Sequence, residues 1–170
     1  MTRNTRSRDP KDKYLSFGLG DNTYAVPALK TREIVGTLET TPIPNVPAFI
    51  LGVTNLRGRV VTVLDLRAKF GMSATEVDAR TCTVIVEVEH GDREVMIGLL
   101  VDRVFAVNDV TSDAIEPAPD YGGAVDTTFM KGVHRANDKV TIILDIDRVL
   151  ALEHLSQIQQ MDMEETASGA

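Results

Sequence analysis

The chain has 170 residues, a formal net charge of −7, 43% hydrophobic residues, only 5% aromatics and no Trp. That balance argues against nucleic acid as a partner: no Lys/Arg run beyond the first thirteen residues offsets repulsion from a phosphate backbone, and aromatics are too few for a base-stacking platform. The single cysteine, Cys82, excludes an internal disulfide, and no apolar run approaches the roughly 18 residues of a membrane span, so the expectation is a soluble, unexported, cytoplasmic chain without membrane insertion.

Residues 1–12 are polar and basic and are predicted to form a disordered tail. From Tyr14 the pattern alternates, with Leu15, Phe17 and Leu19 on one face, and Gly20-Asp21-Asn22 turns the chain into Tyr24-Ala25-Val26, which predicts a β-hairpin. Thr41-Pro42-Ile43-Pro44-Asn45-Val46-Pro47 lacks donors at its three prolines and is expected to run over the surface into Phe49-Ile50-Leu51. A second hairpin is predicted from Val84-Ile85-Val86-Glu87-Val88-Glu89, turned by His90-Gly91-Asp92 into Val95 through Val101. In the segment Thr81-Cys82-Thr83-Val84, Cys82 reads as a small hydrophobe rather than a nucleophile.

The strongest organising signal is a repeat. The fifteen residues from Gly52 to Leu66 return without a gap eighty positions later, from Gly132 to Ile146, sharing the Gly-Val start, the turn, Val60/Val140 and a Leu-Asp-apolar end. Ile34 falls beside Val104 in a weaker upstream extension where the spacing slips by one residue. The nearly all-apolar strands at Val60–Leu64 and Val140–Leu144 predict cover on both faces or a sheet closed on itself. Asp65 is placed to cap a short helix ended by Gly71, and Asp145 a longer helix presenting Ile146, Val149, Leu150, Leu152 and Leu155. Residues 157–170 are predicted to be a disordered acidic tail.

Searching the chain for chemistry yields little. Gly52 and Gly58 bracket five residues and are followed by Arg59-Val60, which fails the phosphate-loop pattern; His90, His134 and His154 have no metal-ligand spacing; and no nucleophile elbow occurs. An enzyme assembled from scattered carboxylates is the rival from another class and would require a deep polar pocket with convergent acids. What distinguishes the first copy is Asn55-Leu56-Arg57-Gly58, which the second lacks. Arg57, in a predicted turn, reads as an interface anchor, as a solvated turn residue, or as one half of an internal ion pair with an acid such as Glu33.

Arg32-Glu33-Ile34, the run Gly52-Val53-Thr54-Asn55-Leu56-Arg57-Gly58, Val63-Leu64-Asp65-Leu66-Arg67, Gly98-Leu99-Leu100-Val101-Asp102 and Leu144-Asp145-Ile146, in this order, resemble CheW-type chemotaxis coupling proteins over about Tyr14 to Leu155. Thr62 stands where that family usually has proline. The resemblance implies a mostly β fold: two intertwined, five-stranded, SH3-like β-barrels related by internal duplication, with short helices and a C-terminal helix. The domain would span residues 13–156, with lobes of roughly 13–80 and 81–156 and strand exchange allowed between them.

It also implies a non-catalytic adaptor without cofactor or metal, monomeric as an isolated chain. Such an adaptor couples the cytoplasmic hairpin tips of chemoreceptors to the regulatory domain of a CheA-type histidine kinase and associates with membrane receptor arrays through its partners. A same-fold adaptor of a non-flagellar sensory pathway is the alternative. Carried over residue by residue, Glu33, Gly52, Asn55, Arg57, Gly58, Gly98, Val101, Asp102 and Val104 match partner-binding positions, although for Val101 and Val104 an ordinary core role is the stronger expectation.

Overall fold

The structure is a computed structural model that describes residues 9–118 and 129–149, apart from the side chain of His90. Ten strands follow one another: β1 (Lys13–Leu19), β2 (Asn22–Pro27), β3 (Thr31–Val35), β4 (Ile50–Leu56), β5 (Arg59–Asp65), β6 (Cys82–His90), β7 (Arg93–Val101), β8 (Arg103–Asp109), β9 (Met130–Ala136) and β10 (Lys139–Leu144). A single-turn helix, α1 (Leu66–Lys69), follows β5. The strands form two five-stranded sheets, ordered β8-β1-β2-β10-β9 and β3-β6-β7-β5-β4. The two orders are the same once β1–β2 is matched to β6–β7 and β9–β10 to β4–β5, so the duplication read in the sequence is a duplication of SH3-like sheets.

Sheet membership does not divide near residue 80. The β1–β2 hairpin joins β8, β9 and β10, while the β6–β7 hairpin joins β3, β4 and β5. In each sheet the exchange is made by a parallel ladder, β2 on β10 (Thr23 beside Thr141, Ala25 beside Ile143) and β7 on β5 (Ile97 beside Thr62, Leu100 beside Asp65). The match of Ile34 with Val104 does not survive as register. Ile34 pairs with Val84 of β6 and Val104 with Phe17 of β1, and a bulge in each ladder displaces the two edge strands relative to one another.

Alternation along the hairpins puts Leu15, Phe17, Leu19, Tyr24 and Val26 of the first sheet against Val84, Val86, Val88, Ile97, Leu99 and Val101 of the second. This shared core holds the lobes together, at about 1.5–3 kcal/mol for each large side chain removed from water. The few aromatics are concentrated in it, stacked from Phe17 through Tyr24 and Phe70 to Phe129 at ring separations of 6.1, 5.3 and 4.5 Å. Each lobe adds a small cluster of its own, Tyr14, Ala25, Val110 and Ile143 in the first and Val61, Ile85 and Met96 in the second.

Several local expectations change in the structure. Residues 10–12, assigned to the N-terminal tail, form a 3-10 turn, because Asp9 accepts from Lys11 N at 3.0 Å, Pro10 suits the first helical position, and Val110 N donates to Asp12 O at 2.7 Å. The proline-rich segment runs over the surface but anchors itself through Ile43, which is buried in the shared core. Val61 to Leu64 are covered on both faces as expected, whereas Val140, paired with Arg135 of β9 but beyond the ladder to β2, is exposed. Asp65 caps α1 through Arg67 N and Ala68 N and also ties back Thr75, and Gly71 ends the turn at φ +77°. Asp145 behaves differently: its side chain makes no capping bond, and only a 3-10 turn, Ile146–Arg148, follows it. The predicted helix beyond Val149 and the acidic tail lie outside the described residues.

The shared Gly-Val start of the repeat has a steric cause. A Cβ on Gly52 would sit 2.2 Å from Thr41 O, and one on Gly132 2.3 Å from Glu116 O, where Thr41 and Glu116 bridge to Val53 and Val133. Gly52 also adopts φ +144°, a region that side chains avoid. Gly52→Ala and Gly132→Ala are each expected to lower unfolding free energy by about 2–4 kcal/mol in urea titrations, while Gly36→Ala, with nothing within 4 Å, stays within about 0.5 kcal/mol of wild type.

Candidate functional site

The distinguishing residues of the first repeat fold into the two-residue turn between β4 and β5. Arg57 and Gly58 both have positive φ, +54° and +81°, matching the twist of the flanking strands; the equivalent turn of the second copy uses Asn137 and Asp138, at +52° and +63°. Asn55 closes the first turn by accepting from Gly58 N at 2.9 Å. Asn and Asp tolerate the left-handed conformation through local hydrogen bonds, but Arg has no such compensation, and its placement there costs about 1–2 kcal/mol.

Arg57 donates from Nη1 to both carboxylate oxygens of Glu33 on β3, at 2.7 and 2.6 Å. The Arg57 side chain is 73% exposed and that of Glu33 26%, so the pair is neither buried nor simply solvated: the acid is half recessed and the guanidinium stands outside. Such an exposed pair contributes about 0–1 kcal/mol, no more than the backbone conformation costs. Fold stability therefore does not explain an arginine at this position, whereas strained residues with outward-facing donors are a mark of binding sites.

Beside this turn lies a network that the sequence reading missed. Glu87, two residues after the buried Ile85 and on the same face of β6, is buried; its Oε2 accepts from Arg32 Nε at 2.7 Å and also from Arg32 Nη2, and its Oε1 lies 3.6 Å from Arg59 Nη2. The Arg32 hydrogen bonds hold its carboxyl below the usual carboxylate range against the opposing effect of burial. The signal was present in the sequence: an acid on the inward-facing phase of an otherwise apolar strand needs a cation.

The remaining candidates are not brought to the turn. Gly52 lies within β4 against Thr41, and Gly98 is buried in β7, where a Cβ would come within 2.8 Å of Thr83 Cγ2. Val101 is fully buried and Val104 packs at the rim of the shared core. Asp102 occupies the crossing from β7 to β8 and joins the lobes, its Oδ2 accepting from Gly20 N, in the β1–β2 turn, and from Arg67 Nη1, on α1, both at 2.7 Å. Arg67, also unforeseen as a partner, is held by a further bond from Nε to Ser73 O at 2.9 Å.

Two open clefts bear on the enzyme alternative. One of about 580 Å³ is lined by Asp21, Glu76, Asp78 and Asp102 together with Arg67, Arg80 and Arg103. Asp102 is committed to the lobe contact, and bonds from Arg80 N and Thr81 keep the Asp78 carboxyl below its ordinary range, opposite to the upward shift a general acid requires. The other, about 970 Å³, is lined by polar side chains such as Ser16, Thr23 and Thr141 and by apolar ones such as Phe105, Val107 and Val110, and its acid, Asp109, is paired with Lys13. The acids of the first cleft stand among three arginines, and the second holds a single acid. Burial raises the Cys82 thiol, in keeping with a packing role.

Fold and surface together define a duplicated SH3-like β-sheet module with one distinguished arginine turn. The CheW-like domain family model matches residues 13–154. Among curated proteins, the chain is 34% identical over 149 residues to the chemotaxis protein CheW of Klebsiella aerogenes, covering 88% of this chain and 87% of that protein. It is 33% identical to the CheW of Rhizobium meliloti, over 82% of this chain and 87% of the relative. The crystal structure of the scaffolding protein TtCheW from Thermoanaerobacter tengcongensis matches with a TM-score of 0.71 at 31% identity, covering 82% of this chain and 92% of that one. The chain belongs to the CheW-like family.

Two stability measurements test these contacts. Asp102→Asn keeps an acceptor for Gly20 N but loses the charge facing Arg67, and is expected to cost about 1–2 kcal/mol in urea unfolding at neutral pH. Because the folded state holds the Glu87 carboxyl below its unfolded value of about 4.3, that carboxylate stabilises above this value and loses its contribution as pH falls through the folded one. The stability difference between wild type and Glu87→Gln is thus expected to stay constant from about pH 7 to about pH 5.5 and to shrink below about pH 4.

Proposed function

We propose that this chain is a non-catalytic adaptor that couples chemoreceptor cytoplasmic hairpins to the regulatory domain of a CheA-type histidine kinase, acting in the cytoplasm at receptor arrays. Its membership of the CheW-like family supports this reading, since relatives are described as chemotaxis proteins and one as a scaffold. The observation on the molecule that carries it is the Arg57 turn. An exposed guanidinium sits in a strained conformation in one copy of a duplicated hairpin, while the other copy uses residues suited to the turn.

Apolar side chains left in solvent suit the same role. Phe105 and Val107 are exposed on β8 and Ile34 on β3, the strands that occupy corresponding edges of the two sheets. Exposed apolar edge strands offer surfaces on which another protein can pack. In this mechanism apolar surface of the adaptor receives the receptor hairpin and patches at the lobe ends meet the kinase. Control is geometric: receptor state alters how the adaptor holds the kinase, with a coupling free energy of about 1–3 kcal/mol.

Titration calorimetry of the full chain against the kinase regulatory domain and a receptor hairpin fragment from the same organism tests the proposal. Binding near the micromolar range is expected, and Arg57→Ala should weaken one partner by about tenfold to a thousandfold. Arg57→Asn should show the same loss while remaining at least as stable as wild type, because Asn relieves the turn. A loss below twofold removes Arg57 as an anchor, and failure to bind any such kinase of the organism removes the adaptor assignment.

A further inference from the structure

We propose that Arg32 and Arg59, held in place by the buried Glu87, extend the Arg57 turn into a three-arginine surface that takes a carboxylate-bearing segment of a protein partner. The three guanidiniums are contiguous. Arg32 precedes Glu33, the acid that holds Arg57; Arg59 lies two residues beyond Arg57; and Arg32 and Arg59 approach opposite oxygens of one carboxylate.

The charges in this cluster are layered. Glu87 is 8% exposed and Glu33 26%, whereas the Arg32, Arg59 and Arg57 side chains are 48%, 58% and 73% exposed. Three outward cations therefore overlie two recessed anions.

Each guanidinium carries five N–H donors. Arg57 uses two on Glu33, Arg32 uses two on Glu87 and one on Leu29 O, and Arg59 makes no hydrogen bond among the described residues. Each guanidinium is planar, and donors left unused are of the kind that binds carboxylates in bidentate fashion. An extended polyanion is disfavoured by the chain's net charge of −7, so the surface suits the local acidic groups of a protein.

Stability does not account for the network. An apolar residue opposite Met96 would fill the Glu87 position at no desolvation cost, and replacing a buried ion pair by packed apolar groups is generally neutral or stabilising. The other lobe bears this out. Superimposing the turns Gly20-Asp21 and Gly91-Asp92 puts Ser16 where Glu87 stands, and Ser16 is satisfied by Ala106 O at 3.0 Å and Asn108 at 3.2 Å. The same framework closes there without an arginine cluster, so the cluster belongs to the surface rather than to the fold.

This inference rests on the adaptor reading and has its own test. The full chain, with Arg57 and Glu33 intact, is titrated against the kinase regulatory domain and the receptor hairpin fragment at about 50 and about 300 mM salt. The double variant Arg32→Gln/Arg59→Gln, titrated below its unfolding temperature, is expected to lose at least fivefold affinity for one of the probes at low salt, with a smaller loss at high salt. Should the double variant unfold early, Arg59→Gln alone is read in the same way, since Arg32 keeps its hydrogen bonds to Glu87 and Arg59 contributes only the longer 3.6 Å ion pair. Wild-type binding with losses under fivefold for both probes, or with losses independent of salt, overturns the three-arginine surface and leaves the adaptor reading standing. Wild type binding neither probe overturns the adaptor reading and this inference with it.

Discussion

Neither sheet can be completed from one half of the chain, and the rest of the molecule follows from that constraint. The parallel ladders of β2 on β10 and of β7 on β5 commit each hairpin to strands that lie far from it in sequence. Once they form, the apolar faces of both hairpins turn toward one another and build the core shared by the lobes. The segment from β7 to β8 must then cross between sheets, and Asp102 sits on that crossing, where it can take an amide from one lobe and a guanidinium from the other. The lobe contact is thus a consequence of the strand exchange rather than an addition to it.

Duplication makes the departures from symmetry informative. Where the backbone demands a solution, both copies give the same one: glycine packed on a bridging carbonyl at Gly52 and Gly132, and an amide hydrogen bond of 2.8 Å from Asp65 to Phe49 and from Asp145 to Phe129. Where surface is concerned, they diverge. The second copy ends its hairpin with Asn137 and Asp138 and puts a salt bridge between Arg135 and Glu116, whereas the first concentrates arginines around recessed acids. An energetic comparison separates the two kinds of residue, since the glycines are required by hard-core contact and Arg57 gains the fold about nothing net.

Much of the framework was legible in the residues. Hairpins announced themselves by period-two alternation around Gly20-Asp21 and Gly91-Asp92, and the long repeat pointed to a duplicated unit because its shared positions answer to local sterics. The Arg57–Glu33 pair was within reach too, since only one copy carries the arginine. Sheet membership was not, because parallel pairing joins strands through apolar side chains that would fit either lobe. The partners of Glu87 and Asp102 were hidden for a related reason: a carboxylate shows that it needs a donor, while which donor reaches it depends on bulges and crossings that leave no local pattern. Asp65 and Asp145 show the same limit, being equivalent in the repeat yet capping through the side chain in one case and not in the other.

The nesting of the two sheets has a consequence for how the chain is made. All strands of the second sheet lie between Thr31 and Val101, so its pairing partners have all emerged before the first sheet has its last two strands, which begin at Met130. During synthesis the β1–β2 hairpin is therefore the earliest element formed and the longest to wait for its own sheet, with Leu15, Phe17 and Val26 in search of cover. The finished second sheet supplies that cover, because those side chains pack on Val84, Val86 and Leu99 in the native core. The pairing of β10 with a hairpin made more than a hundred residues earlier is thus the last sheet contact to become available as the chain emerges.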